Sequence, residues 1–206
     1  MENGGHLTRL YVICDWVARL AYINLLWIGF SVAGFILFGL MPATAAMFTI
    51  IRKWIMGEND FSILQTFWQT YKTEFLKSNA LGGILMTIGG LIFLDLRISQ
   101  SGTTSFSLVM SLLMISGLFI LFIMFLYVWP IFVHFNLSIF NILKTAFVLS
   151  ISQPIFTIVM IVGSLAVYFT MMNIPGLIPF FGGSLLAFIM MWSSSLCFNK
   201  IMKDSN

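Results

Sequence analysis

Charged residues are what this sequence has least of. Only 8% of its 206 residues are Asp, Glu, Lys or Arg, whereas 60% are hydrophobic and the mean hydropathy is +1.02. Soluble domains contain about 25% charged residues, and a soluble chain of this size could not bury so much apolar surface. The shortage of charge therefore excludes an ordinary soluble domain and favours a protein whose apolar side chains face lipid.

The sequence also lacks the residue clusters that carry most metal and catalytic chemistry. Its two cysteines, Cys14 and Cys197, stand near opposite ends of the chain, so neither a C-x-x-C motif nor a disulfide framework is present. His134 has no second histidine or carboxylate three or four positions away. No G-x-S-x-G, H-E-x-x-H or glycine-rich phosphate loop occurs. We therefore predict no metal site, no cofactor and no enzymatic activity.

Basic residues are few and lie between the apolar blocks. The chain has ten Lys and Arg residues and a net charge of +3. A nucleic-acid-binding domain would concentrate such charges in a stripe, whereas scattered basic residues flanking apolar segments are typical of anchors at the bilayer surface. The predicted partner is the lipid bilayer and not a nucleic acid.

Five apolar segments approach or exceed the roughly 20 residues that a spanning helix needs. They are residues 20–40, 80–94, 106–129, 146–172 and 177–197. The sequence thus predicts an all-α fold: a polytopic membrane helical bundle of about five transmembrane helices, forming a single membrane domain over residues 1–206. If the short second segment entered and left the membrane on one face, four spans would remain and the termini would share a side.

The distribution of Lys and Arg predicts the orientation of a five-span chain. One face would carry three basic residues and the other seven. The poorer face would carry Arg9, Arg19 and Arg97; the richer face would carry Arg52, Lys53, Lys72, Lys77, Lys144, Lys200 and Lys203. Because basic residues accumulate on the cytoplasmic side, this count predicts an N-terminus outside the cell and a cytoplasmic C-terminus.

Three further segments, 42–56, 62–77 and 131–145, have the pattern of amphipathic helices on the cytoplasmic side. Such helices bind the lipid surface, cap their own bundle or dock a partner, and the sequence leaves these interpretations open. The candidate partner-binding residues combine aromatic and basic side chains. They are Phe67, Trp68, Tyr71, Lys72, Arg52 and Lys53.

A few polar and glycine positions inside the apolar segments are candidates for special roles. Asn24 and Asp95 are candidate intramembrane polar residues, because polar groups in hydrocarbon are costly unless they are paired or functional. Asn24 is interpreted as a hydrogen-bonding residue between helices, and Asp95 as a residue at the end of a span. Glycines repeat at a spacing of seven and predict a close helix-packing stripe. They are Gly82, Gly83, Gly89 and Gly90.

Several short motifs, taken in order, resemble those of the YesL-like family of uncharacterised bacterial multi-pass membrane proteins. The motifs are Asn24-Leu25-Leu26-Trp27, Pro42-Ala43-Thr44-Ala45-Ala46, Phe67-Trp68-Gln69-Thr70-Tyr71-Lys72 and Tyr127-Val128-Trp129-Pro130. The tract before Pro42 departs from the family pattern, since it contains no proline. The resemblance implies a bacterial cell-membrane location and an association with carbohydrate uptake and utilisation. It assigns no catalytic or binding residue.

Two functions follow as alternatives. The first is an accessory component whose cytoplasmic-side helices dock a membrane protein of a transport system. The second is a small-solute transporter or channel, which requires a polar path through the bundle. The largest cavity of the folded chain distinguishes them: a dry cavity favours the accessory role and a polar one favours transport. The sequence predicts no oligomeric state.

Overall fold

The structure, a computed structural model, describes residues 3–100 and 104–204, with side chains from Tyr11 onward. Within these residues the chain forms eight α-helices, one short 3-10 helix and no strand. The α-helices are α1 (Asn3–Ala33), α2 (Leu40–Ile55), α3 (Ile63–Thr73), α4 (Phe75–Gln100), α5 (Ser105–His134), α6 (Ile139–Ser152), α7 (Pro154–Asn173) and α8 (Ile178–Asp204), and the 3-10 helix is Pro175–Leu177. The predicted all-α bundle is confirmed.

Five helical segments are long and apolar enough to cross a bilayer. They are Tyr11–Ala33, Phe75–Gln100, Ser105–His134, Pro154–Asn173 and Pro175–Lys203. Each includes or overlaps one of the five apolar segments predicted from the sequence. The chain is therefore a membrane protein with several apolar helices.

Prolines divide the second half of the chain differently from the prediction. The apolar segment 146–172 is two helices, because Gln153 leaves helical geometry (φ −124°, ψ 64°) and Pro154 begins α7. A residue before proline is disfavoured in the α conformation, and proline is well tolerated in the first turn. The predicted amphipathic helix 131–145 is also divided, since α5 ends at His134 and α6 begins at Ile139.

Helices α1 and α2 form an antiparallel hairpin. Near its open end the ring of Trp16 packs edge-on against Trp54 at 5.7 Å, and further along Trp27 Nε1 donates to Thr44 Oγ1 at 3.0 Å. The turn is residues 34–39, in which Phe35 and Ile36 adopt left-handed backbone geometry (φ 58° and 60°). The first helix therefore ends at Ala33, within the apolar segment 20–40, and the chain then reverses direction.

Helix α1 also packs antiparallel to α8. Trp16 contacts Phe188, whereas Asn24 contacts Pro179 and Gly183, so residue numbers rise along α1 as they fall along α8. The start of α1 and the end of α8 consequently point to the same end of the bundle. The orientation of the termini relative to the membrane stays a prediction.

Helix α2 occupies the centre of the bundle and not its surface. Ala43, Ala45, Ala46, Ile50 and Ile51 are all fully buried. Its neighbours are α1, α3, α4, α5 and α8, which surround it on every side. The segment 42–56, predicted as an amphipathic helix on the cytoplasmic side, is thus covered by other helices of the bundle. Small side chains around the helix allow this, because they let neighbouring backbones approach closely.

Candidate functional site: an apolar cavity inside the bundle

Asn24 connects α1 to the first turns of α8. Its Oδ1 accepts hydrogen bonds from the backbone N–H groups of Gly183 and Ser184, both at 2.9 Å, and its Nδ2 donates to the carbonyl of Pro179 at 2.8 Å. A Cβ on Gly183 would lie 3.1 Å from that oxygen, so glycine permits the close approach. The side chain is 1% exposed. Asn24 thus makes hydrogen bonds between helices, in agreement with its sequence-based interpretation.

A second polar junction connects α1 to α2. Trp27 Nε1 donates to Thr44 Oγ1, and the hydroxyl of Thr44 donates to the carbonyl of Leu40 at 2.7 Å. The indole N–H and the hydroxyl proton are therefore both used within the bundle. Asn24 and Trp27 come from one of the resemblance motifs and Thr44 from another, so these motifs hold the helices together.

A cavity with a volume of about 750 Å³ lies beside these two junctions. Its walls come from α1, α2, α5, α7 and α8, and five of its side chains are methionines: Met41, Met47, Met171, Met172 and Met190. Among the described residues, no charged side chain lines it. The wall side chains that carry a hydrogen-bonding group are Trp27, Thr44, Trp129 and Tyr168, and Tyr168 is exposed.

The cavity is partly open to the outside of the bundle. On α7 and α8 its lining lies in the half of each helix nearer the turn between them, over residues 167–172 and 178–190. Tyr168, Met172 and Ile178 line it and are also exposed. Helices α7 and α8 both belong to candidate membrane spans. The opening therefore faces the medium that surrounds the membrane-spanning helices.

The aromatic residues of the candidate partner surface are mostly inside the bundle. Phe67 is fully buried and packs on Phe30 at 5.1 Å, and Tyr71 packs on the same ring at 5.3 Å. The hydroxyl of Tyr71 donates to the carbonyl of Phe30, and burial raises the pKa of this phenol. Trp68 is 45% exposed, and Lys72 lies over its ring at 4.7 Å. Of the four candidate residues in α3, only Trp68 and Lys72 are exposed.

The basic residues of that candidate surface have partners within the chain. Arg52 Nε donates to His134 Nδ1 at 3.4 Å, and Lys53 forms an ion pair with Glu58 at 2.9 Å. The structure therefore does not bring the six candidate residues together as one exposed surface. Two of them instead connect neighbouring elements at the end of α2.

Asp95 lies on an exposed face near the end of α4 and does not line the cavity. Arg97, two residues on, sits over the ring of Phe93 at 5.6 Å. This position is that of a residue at the end of a span, as interpreted from the sequence. In the described part of the chain, no group of three or more His, Cys, Asp or Glu side chains is arranged to hold a metal ion.

Half of the predicted glycine stripe packs against a neighbouring helix. A Cβ on Gly82 would meet the sulfur of Met41 at 2.5 Å, and a Cβ on Gly89 would meet Leu121 at 3.2 Å. Gly83 and Gly90 have no atom of another element within 4 Å of such a Cβ. The close-packing stripe therefore consists of Gly82 and Gly89.

The sequence-based reasoning missed the cavity. Its best signal was the set of methionines in α2, α7 and α8, since methionine fills irregular apolar space. With 14 methionines spread along the chain, however, this signal selects no single group of residues.

Comparisons with known proteins point to one family. The family model described as "Protein of unknown function, DUF624" matches residues 20–96. Three uncharacterized proteins of Bacillus subtilis (strain 168) are similar over most of the chain. YteU is 39% identical over 91% of this chain and 84% of its own length, YesL 41% over 86% and 83%, and YesV 35% over 93% and 92%. No solved structure matches the chain significantly. The chain therefore belongs to the DUF624 family of proteins of unknown function, together with YteU, YesL and YesV.

Proposed function

We propose that this protein is an accessory membrane component, which acts by binding other membrane components and neither transports a polar solute nor catalyses a reaction. The observation that carries this proposal is the apolar lining of the 750 Å³ cavity. Selective pores and transporter sites are lined by charged groups, carbonyl oxygens or hydrogen-bonding side chains. Here four of the described wall side chains carry a hydrogen-bonding group, and two of them, Trp27 and Thr44, are bonded to each other.

The proposed topology places both termini in the cytoplasm. Three contacts support one common basic end: Trp16 with Trp54, Arg52 with His134, and His134 with Phe198 at 4.9 Å. These contacts join the start of α1, the end of α2, the end of α5 and the last part of α8. The α1–α2 hairpin then enters and leaves on one side, and four helices, α4, α5, α7 and α8, cross the membrane.

This arrangement changes the count of basic residues between the two faces. The first two arginines move to the richer side, which then carries nine of the ten Lys and Arg residues. Arg97, near the far end of α4, is the tenth. Because a strong bias of basic residues marks the cytoplasmic side, a count of nine to one supports this topology better than the seven to three of the five-span prediction.

The proposed partner is a membrane protein of a carbohydrate-uptake system. The resemblance to the family supports this class of partner, and the exposed pair Trp68 and Lys72 offers a surface for it. Exposed tryptophan is enriched where proteins bind one another.

A photoreactive amino acid at Trp68 tests docking in native membranes. We expect protein adducts of discrete mass at this position. A photoreactive residue at Leu112, which is exposed on the apolar part of α5, is the control and should give lipid adducts alone. Lipid adducts alone at both positions would overturn the docking proposal.

Solute flux tests the exclusion of transport. Purified protein in liposomes should move sorbitol, glutamate and Na⁺ no faster than empty liposomes do. The Asp95→Ala variant should behave in the same way, since Asp95 lies away from the cavity. Flux in the wild type that is lost in Asp95→Ala would contradict the proposal and establish transport.

A further inference from the structure

We infer that the cavity between α2, α5, α7 and α8 binds one hydrocarbon chain of a membrane lipid. Its volume of about 750 Å³ is within the range of small-molecule sites, about 300–1,000 Å³. The inference relies on the membrane location that the proposed function also requires, but it does not depend on partner docking.

Water is a poor occupant of this cavity. A stably buried water needs two to four polar partners. On the inner wall, the N–H of Trp27 is donated to Thr44, and the hydroxyl proton of Thr44 is donated to Leu40. Beyond these, the described wall side chains offer a water cluster the indole N–H of Trp129 and the hydroxyl of Tyr168, and none of them carries a charge.

An empty cavity is also unfavourable. Side chains that line a void lose the dispersion contacts that another atom would provide. Methionine side chains are flexible and polarizable, so they adapt to an apolar ligand of irregular shape. Met41, Met47 and Met190 approach the cavity from two helices, which suits a bent chain better than a rigid planar molecule.

The position of the opening identifies the source of the ligand. The exposed wall residues Tyr168, Met172 and Ile178 belong to segments long and apolar enough to cross a bilayer. The medium at this opening is therefore lipid hydrocarbon, which is present there at a far higher concentration than a second copy of the protein. A lipid chain enters sideways, without crossing a polar surface.

The chain offers a cavity-filling substitution with a matched control. A Cβ on Gly182, which lines the cavity, would meet only Ile178, at an ordinary 3.5 Å. The ring in Gly182→Phe therefore has room to occupy the cavity. Gly90→Phe makes the same change on α4, where a Cβ meets nothing within 4 Å and the site is outside the cavity.

The experiment uses the full chain in liposomes that contain a phospholipid with a diazirine on one acyl chain, followed by mapping of the labelled residues. In the wild type we expect adducts on Met47, which is buried, and on Met190, which is half-buried, as well as on outward residues such as Leu112. In Gly182→Phe the adducts on the two methionines should fall several-fold, while those on Leu112 stay unchanged. Gly90→Phe should match the wild type.

Three outcomes would overturn the inference. The first is labelling of the wild type on outward residues alone. This test needs no variant, so it remains valid even if Gly182→Phe does not fold. The second is equal labelling of the methionines in wild type and in a folded Gly182→Phe. The third is an equal loss of methionine labelling in Gly90→Phe, which would show that the fall does not depend on filling the cavity. The flux and Trp68 experiments are independent of all three outcomes, so failure here leaves the proposed function standing.

Discussion

The amide of Asn24 shows how much of this bundle depends on single polar side chains. Asparagine in an apolar run predicts a hydrogen bond between helices, because an unpaired amide in hydrocarbon is costly. The sequence could not predict its partners, since Pro179, Gly183 and Ser184 are more than 150 positions away. Asp95 shows the opposite case: its position beside Arg97 near the end of an apolar segment was sufficient to interpret it.

Replacing Asn24 by Ala should lower the free energy of unfolding by about 1–3 kcal/mol, because three hydrogen bonds to α8 are lost. Each such bond contributes about 0.5–1.5 kcal/mol in a soluble protein, and the contribution between membrane helices is similar or smaller. Reversible unfolding in mixed micelles measures this change. Asn173→Ala is the control, since the amide of Asn173 is exposed and donates only to Phe169 of its own helix. An equal effect of both substitutions would show that the junction between α1 and α8 is not what stabilises the bundle.

At the scale of elements, helices were predictable and their surroundings were not. Helix α5, the most apolar segment, was predicted as residues 106–129 and extends over Ser105–His134. Helix α2 was predicted at nearly the right residues, as an amphipathic helix on the cytoplasmic side, but its five neighbours were not predicted. A hydrophobic pattern reports that a face is covered, but it does not report whether lipid or other helices cover it.

The α1–α2 turn provides a prediction at this scale. A Cβ on Gly34 would collide with the backbone of Gly39 and lie 2.5 Å from the hydroxyl of Tyr71, and such overpacking typically costs about 1–3 kcal/mol. Gly34→Ala should therefore lower the melting temperature in detergent. Gly29 lies in the preceding helix α1, where an added Cβ meets nothing within 4 Å. Gly29→Ala should therefore be neutral or stabilising by up to about 1 kcal/mol, because alanine favours the helix. Equal melting temperatures for the two variants would contradict the close packing of Gly34 in this turn.

At the scale of the whole molecule, composition predicted the membrane location, the helical class and the single domain of apolar segments. It did not predict the packing of α1 against α8, because that depends on the chain reversing at residues 34–39. That tract is apolar throughout, and its four largest side chains, Phe35, Ile36, Leu37 and Phe38, are exposed in the structure. An apolar turn inside lipid has the same composition as a continuous span, so no count of residues separates the two.

The topology is the claim on which the proposed function depends, since it places the basic end and the exposed face of α3 in contact with cytoplasmic partners. Single cysteines introduced at Glu2, Gln100 and Lys203 test it directly. The background is Cys14→Ser, because Cys14 is exposed, while Cys197 is buried and is retained.

The measurement is labelling of intact cells by a membrane-impermeant maleimide, with permeabilised cells as the reference. We predict that the cysteine at position 100 reacts in intact cells, whereas those at positions 2 and 203 react only after permeabilisation. Labelling of position 2 in intact cells, with position 203 protected, would place the termini on opposite faces and contradict the account.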